Sequence, residues 1–366
     1  MRLVRWMQAL LLAVVGAVYG LQNRPIIAVL TQPTNSVFNV DLTSQGTSFI
    51  PASYVKWLES GGARVLPIPF DANQTEITAS FEAANGLLLT GGNTSIFGTP
   101  YATTVHMLLD LAVNSSRMGN PFPVWGTCQG FEELVVYFGG NQVLDDVDAE
   151  ALFLPLEFSA GAEQSPVLGQ MSPTLLHQVA NNNLTVNLHN KALLVDRFMA
   201  SDKLQSAFQL LATNEDRSGK RFVSLIAGRE LPFFGSQFHP EKNSFEWDQS
   251  WDSDILQIHS VDAGVFSHQL SAFFVNQTRF THNIANPGVN KKLVYNFIST
   301  YTSMIFPNMN MWEQTYFFSP PPPPPFYRPC TCDQDCGLVW ATGCDGAMIC
   351  TNPAPCSCSK CPCICD

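Results

Sequence analysis

The sequence is poor in charge. Only 13% of its 366 residues are Asp, Glu, Lys or Arg, acidic residues outnumber basic ones 30 to 19, and no run of five basic residues occurs. A net charge of −11 without a basic block lacks the footprint that a phosphate backbone requires, so no nucleic acid partner is expected. Long apolar runs are also missing. The run from Ala9 to Val18, behind Arg2 and Arg5, falls short of the roughly 20 residues that cross a bilayer. Closing on Gly20, residues 1–20 have the form of a secretory signal, whose removal leaves no stable membrane span. Cysteine is nearly absent from the first 329 residues: of 11 in the chain, Cys128 stands there alone and the rest crowd between Cys330 and Cys365. A body with a single thiol is not held by disulfides, so the thiol is either a buried spectator or kept for its reactivity.

What is present suits a large folded body, since 46% of the residues are hydrophobic. Given the leader, the sequons at Asn73, Asn114, Asn183 and Asn276 are candidate glycosylation sites; a fifth, Asn93, lies in a loop expected to line the catalytic site and is set aside. Short apolar runs alternate with amphipathic ones from Pro25 onward, the rhythm of βαβ units around a parallel sheet. Strands are expected at Ile26 to Leu30, Val65 to Ile68, Gly86 to Thr90 and Val124 to Gly126, and helices at Pro51 to Ser60, Glu76 to Ala84 and Tyr101 to Arg117. After Gly140 the pattern loosens into mixed strands, including Arg221 to Ile226 and Phe233 to Phe238, and a helical stretch follows from Val261 to Phe280. The expected organisation is one three-layer α/β/α domain over residues 21–318 with a mainly parallel central sheet. A proline-rich linker over 319–329, stiffened by Pro320 to Pro325, leads to a Cys-rich tail over 330–366.

Gly126-Thr127-Cys128-Gln129-Gly130, between an apolar strand and a helix-like Phe131 to Phe138, has the form of a nucleophile elbow with cysteine in place of serine. A strand turning sharply into a helix strains the central residue, and glycines two positions either side avoid collisions. The helix N-terminus is expected to lower the thiol pKa and to offer N–H groups to a developing oxyanion. Of seven histidines, only His239 has a persuasive setting, because it follows a strand-like run and Glu241 comes two residues later. On an extended segment that spacing puts the carboxylate on the side of the imidazole, completing a Cys128, His239, Glu241 triad by role. His106, His259 and His268 fall in expected helices and read as ordinary histidines, as Glu133 reads as part of a solvated helix face.

These two segments, Gly126 to Glu132 and Gln237-Phe238-His239-Pro240-Glu241-Lys242-Asn243, resemble the active-site motifs of the γ-glutamyl hydrolases. Ser53 to Val65 and Leu88-Leu89-Thr90-Gly91-Gly92 are similar to that family's early helix and glycine loop, so the resemblance spans roughly residues 24–318. It implies a class I glutamine amidotransferase-like fold, attack by Cys128 on a γ-carbonyl, proton transfer by His239, and an acyl-enzyme thioester cleaved by water. It further implies backbone oxyanion donors at Gly92 and Gln129, where Gln129 replaces the family's common leucine, and substrate-side roles for Glu132 and His189. The implied substrate is a small folyl or antifolyl poly-γ-glutamate. No cofactor and no metal in the body are called for, and a homodimer is left open.

Two other functions compete. A glutaminase shares the elbow and the His-x-Glu pair, but it needs an acceptor for ammonia, and the chain carries no second catalytic module or nucleotide loop. A non-catalytic display protein would have no use for the three triad residues together. The tail is unlike the family. Its cysteines most simply form five disulfides in an exported chain, although the Cys-x-Cys steps also suit a soft metal. Thiol titration with metal analysis of the secreted protein separates these: about one free thiol and no metal is expected from the disulfide arrangement.

Overall fold

Strands that are apolar on both faces mark the middle of the molecule. Ile26–Leu30 is buried at every position, and Leu87, Leu88 and Leu89 of Gly86–Leu89 have no exposed surface. That pattern belongs to strands covered on both sides by helices. In the computed structural model, which describes residues 21–37, 41–248, 255–302 and 312–318 and three short strands beyond, they lie in an eight-stranded sheet. Five neighbours run parallel in the order Arg64–Ile68, Ile26–Leu30, Gly86–Leu89, Val124–Thr127 and Phe233–Ser236. Arg221–Gly228, Phe208–Glu215 and Glu157–Phe158 extend it antiparallel.

The period-two alternation of a strand divides the core between the faces. Ile27, Val29 and Trp125 pack with Trp57 of helix Ala52–Ser60 and with Phe266, Leu270 and Phe274 of helix Val261–Thr278. Ala28, Leu30, Leu87 and Leu89 meet the helices Pro100–Arg117 and Gln129–Gly139 through Val105, Leu109, Phe131 and Leu134. This is the expected three-layer α/β/α fold. Helix starts follow local chemistry: Asn73 and Glu76 form a reciprocal capping box before Gln74–Ala83, and Thr99 caps the helix that opens with Pro100.

Two features depart from the sequence reading. Leu144–Leu154 and Thr185–Leu193 pair with each other as a separate antiparallel ribbon, and Leu188 of the latter strand borders the turn at Cys128. A second sheet of four strands, in the order Ser299–Tyr301, Gln314–Phe318, Ser48–Pro51 and Gln32–Pro33, joins chain ends that no local pattern connects. The expected leader, most of the proline linker and most of the tail lie outside the described residues. The chain divides into two units, Met1–Phe318 and Ser319–Asp366. Of the second, Arg328–Pro329, Met348–Cys350 and Pro362–Cys365 are described, pairing antiparallel with Pro362–Cys365 in the middle.

Because Gln314–Phe318 is an interior strand of its sheet, a chain ended after Pro320 is expected to keep its thermal unfolding midpoint, whereas one ended after Trp312 unfolds several degrees lower. Calorimetry of the two truncations checks this.

Candidate active site

The strand Val124–Thr127 ends at Cys128, whose backbone takes φ 52° and ψ −111° before helix Gln129–Gly139 begins. A non-glycine residue at positive φ is strained, and the surrounding chain must hold it there. The two flanking glycines show how. A Cβ on Gly126 would come within 2.3 Å of the Gly130 carbonyl oxygen, and one on Gly130 within 2.2 Å of the Leu89 carbonyl oxygen. Positions 126 and 130 of this turn therefore admit only glycine. The thiol is buried at 5% exposure and lies 3.8 Å from the Leu188 carbonyl oxygen. Burial, then the charge of Glu132, push its pKa well above the ordinary thiol value, outweighing the Gln129 N–H that pulls it down. The expectation of a lowered thiol pKa is therefore corrected: the short electrostatic reach of the helix start loses to desolvation.

His239 and Glu241 do meet, but not on an extended segment. The strand stops at Ser236, and a turn through Pro240 brings Glu241, in helical conformation, against the ring. Glu241 Oε1 lies 2.7 Å from His239 Nδ1, with the two side chains 1% and 7% exposed. With Nδ1–H donated to the carboxylate, Nε2 is left as the basic nitrogen; it is buried and has no hydrogen-bond partner among the described residues. Gly91 shows how close this ring stands to the thiol. A Cβ there would be 2.7 Å from His239 Cε1 and 3.3 Å from Cys128 Cβ, so both side chains close on the space that Gly91 leaves open. A base, its orienting carboxylate and a thiol at a helix start constitute the parts of a nucleophilic acyl-transfer site.

Gly91 is also gripped by a residue that the sequence reading passed over. Tyr54, from the buried face of Ala52–Ser60, accepts the Gly91 N–H at 2.9 Å and lies 3.3 Å from His239 Nδ1. Burial, then the charge of Glu241, hold its phenol well above the ordinary value, so it remains a neutral hydroxyl bridging glycine loop and triad.

A family model for peptidase C26 matches residues 25–241, from the first strand to Glu241. The chain belongs to the peptidase C26 family. Among curated relatives, γ-glutamyl hydrolase B of Dictyostelium discoideum is 36% identical over 77% of this chain and 80% of that protein. The γ-glutamyl hydrolase of Bos taurus is 35% identical over 81% of this chain and 90% of its own length. A solved glutamine amidotransferase from Thermotoga maritima covers 70% of this chain and 99% of its own, at 12% identity and a TM-score of 0.42.

Around this C26 elbow the structure gathers the remaining expected residues. Glu132 is buried one turn into the helix and accepts Gln237 Nε2 at 3.1 Å; burial lifts its carboxyl to about 8 against the opposing pull of Gln237 and Lys191. His189 sits on the ribbon strand beside Leu188, donating Nδ1–H to the Lys191 carbonyl at 3.0 Å with Nε2 beside the Asn187 side chain at 3.3 Å. Burial drops its pKa to about 3, so it is a neutral imidazole. Asn73, Asn114 and Asn276 are exposed and Asn183 is partly so, as glycan attachment requires. Asn93 is exposed in the glycine loop.

Glu133 overturns its expected place on a solvated face. Every residue of the helix from Gln129 to Val136 is buried, and Glu133 has no exposed surface and no hydrogen-bond partner for either oxygen among the described residues. Burial, then the charge of Glu132, raise it to about 8. The folded protein thus binds protons at Glu132 and Glu133 more tightly than the unfolded chain, where carboxyls titrate near 4.5. Their contribution to stability is fully present below that unfolded value and is lost as pH rises through about 8, at up to about 1.4 kcal/mol per pH unit for each. Urea unfolding followed from about pH 5 to about pH 8 is expected to show stability falling in the native chain and a shallower fall in Glu133→Gln. Equal slopes would contradict the assigned titrations.

Proposed function

We propose that this chain hydrolyses γ-glutamyl amide bonds through a thioester on Cys128, with folyl or antifolyl poly-γ-glutamates as substrates. The observation that carries the reading is the assembly at Gly91: a buried thiol on a strained elbow beside an imidazole whose Nδ1 is held by Glu241 at 2.7 Å and whose Nε2 has no hydrogen-bond partner among the described residues. The Cys128 proton passes to His239 Nε2 as Sγ attacks the γ-carbonyl carbon. The carbonyl electron pair moves to oxygen, where the N–H groups of Gly92 and Gln129 receive it, and Glu241 stabilises the imidazolium. His239 then returns the proton to the departing amine nitrogen, the C–N bond breaks and the thioester remains. Water, deprotonated by the same Nε2, attacks that thioester and releases the free γ-carboxylate and the thiol.

Glu132 and His189, both buried and neutral over much of the pH range, are proposed as hydrogen-bonding groups on the substrate side rather than as charges. Release to water suits a body with one catalytic centre. The leader and the accessible asparagines at positions 73, 114, 183 and 276 support a place in the secretory pathway, outside the cell or in a lysosome or vacuole.

The test is purified protein with folate polyglutamate and, separately, with glutamine, following chain shortening and ammonia. Chain shortening is expected; ammonia from glutamine without shortening would replace this reading by a glutaminase. Cys128→Ser and His239→Ala each lower turnover by about 10⁴-fold or more, because serine is a poor nucleophile at its free pKa and without imidazole neither proton transfer is assisted. Glu241→Ala costs less, since the carboxylate orients the base without exchanging protons.

A further inference from the structure

Beneath the glycine loop two side-chain amides and Thr94 form a closed ring that the triad does not use. Gln32, 1% exposed, shares the two hydrogens of Nε2 among Gln129 Oε1 at 3.0 Å, Tyr101 Oη at 3.1 Å, the Gly91 carbonyl at 3.3 Å and Thr90 Oγ1 at 3.5 Å. Its Oε1 accepts the Thr94 hydroxyl at 2.7 Å, and Gln129 Nε2 donates back to the Thr94 carbonyl. The ring runs directly under Gly92: a Cβ there would lie 2.3 Å from Gln32 Nε2 and 2.7 Å from Gln129 Oε1.

The geometry of one peptide gives this ring a task. In a trans peptide the carbonyl of one residue and the N–H of the next point opposite ways across a single plane. The unit joining Gly91 to Gly92 is trans, so the contact of Gln32 Nε2 with the Gly91 carbonyl favours the orientation in which the Gly92 N–H points the opposite way. Two adjacent glycines have wide backbone freedom and would otherwise allow this peptide to turn over. The preceding peptide is held separately, by Tyr54 on the Gly91 N–H.

We infer that the Gln32, Thr94 and Gln129 ring is a positioning device that locks the Gly91–Gly92 peptide with its N–H toward the acyl oxygen, so that Gln129 serves the oxyanion twice, once with its own N–H and once through its side chain. This rests on Cys128 being the nucleophile. It also gives a physical role to glutamine at a position where the family commonly has leucine, since leucine cannot receive the Gln32 amide.

The ring acts on the oxyanion and not on the thiol, and two probes separate these. A γ-glutamyl aldehyde forms a thiohemiacetal on Cys128: the Sγ–C bond forms, the carbonyl pair moves to oxygen and the thiol proton goes to His239. Iodoacetamide alkylates the same sulfur with loss of iodide and forms no oxyanion. Gln129→Leu and Gln32→Met are expected to lose about 10- to 100-fold in kcat with KM nearly unchanged, and to bind the aldehyde more weakly by a similar factor. Alkylation by iodoacetamide keeps its wild-type rate. Thr94→Val, at a partly exposed site, carries the test if the buried variants fail to fold, and is expected to show the same pattern at smaller amplitude. Loss of alkylation in step with kcat, a loss carried by KM, or unchanged kcat and aldehyde affinity would each overturn the proposal. Turnover retained in Cys128→Ser would instead remove the nucleophile reading beneath it.

Discussion

The active centre depends on the backbone of one residue. Cys128 is held at φ 52°, in a conformation that costs a non-glycine residue on the order of 1–3 kcal/mol. The sheet and helix around it keep that strain in place. Phe233–Ser236 runs alongside Val124–Thr127, the Ser236 carbonyl accepts the Cys128 N–H at 2.9 Å, and Gly130 donates to the Thr90 carbonyl at 3.1 Å. Below the elbow, Trp125 packs against Trp57 at 5.4 Å and Phe274 at 5.8 Å, tying the nucleophile strand to two helices of the opposite layer. The strained turn is thus bought with core packing, and the thiol emerges at the C-terminal end of a parallel strand, where open α/β sheets place their ligands.

Burial at that position has a consequence for chemistry. Burial pushes the thiol pKa up, and its helix start carries a buried carboxyl at Glu132 in place of a cation. In the proposed reaction charge appears on an oxyanion and an imidazolium together, and two sets of contacts stand where they would meet it. Glu241 waits on the imidazole, while the glycine loop is fixed from below by Gln32 and from the side by Tyr54. Preorganised donors in a dry site stabilise such charge more effectively than water would, because they need not reorient when it forms.

Much of this was legible in the sequence wherever the determinant is local. The parallel strands stood out because apolar runs buried on both faces are contiguous, and the elbow because its glycines sit two residues from Cys128 on either side. The His239–Glu241 contact was correctly paired for an incorrect reason: the spacing suggested a strand, while the structure uses a turn at Pro240. What escaped was non-local. Ser48–Pro51 pairs with Gln314–Phe318 from the far end of the body, and Gln32 reaches Gln129 only once the sheet has formed. Nothing local to Tyr54 marks it out within the helix Ala52–Ser60, because its partners Gly91 and His239 are far along the chain. Glu133 was misplaced because helical periodicity assumes one wet face, and this helix is enclosed all round over its first two turns.

The central claim is that the acyl group rests on Cys128 between the two halves of the reaction. Acid quenching during turnover of a γ-glutamyl substrate, followed by mass analysis of the intact and digested protein, tests it most directly. The account predicts a mass gain equal to the acyl fragment, confined to the peptide that carries Cys128 and released by hydroxylamine. A quenched adduct on any other residue, or acyl label found only as free product when deacylation is made rate-limiting, would contradict it.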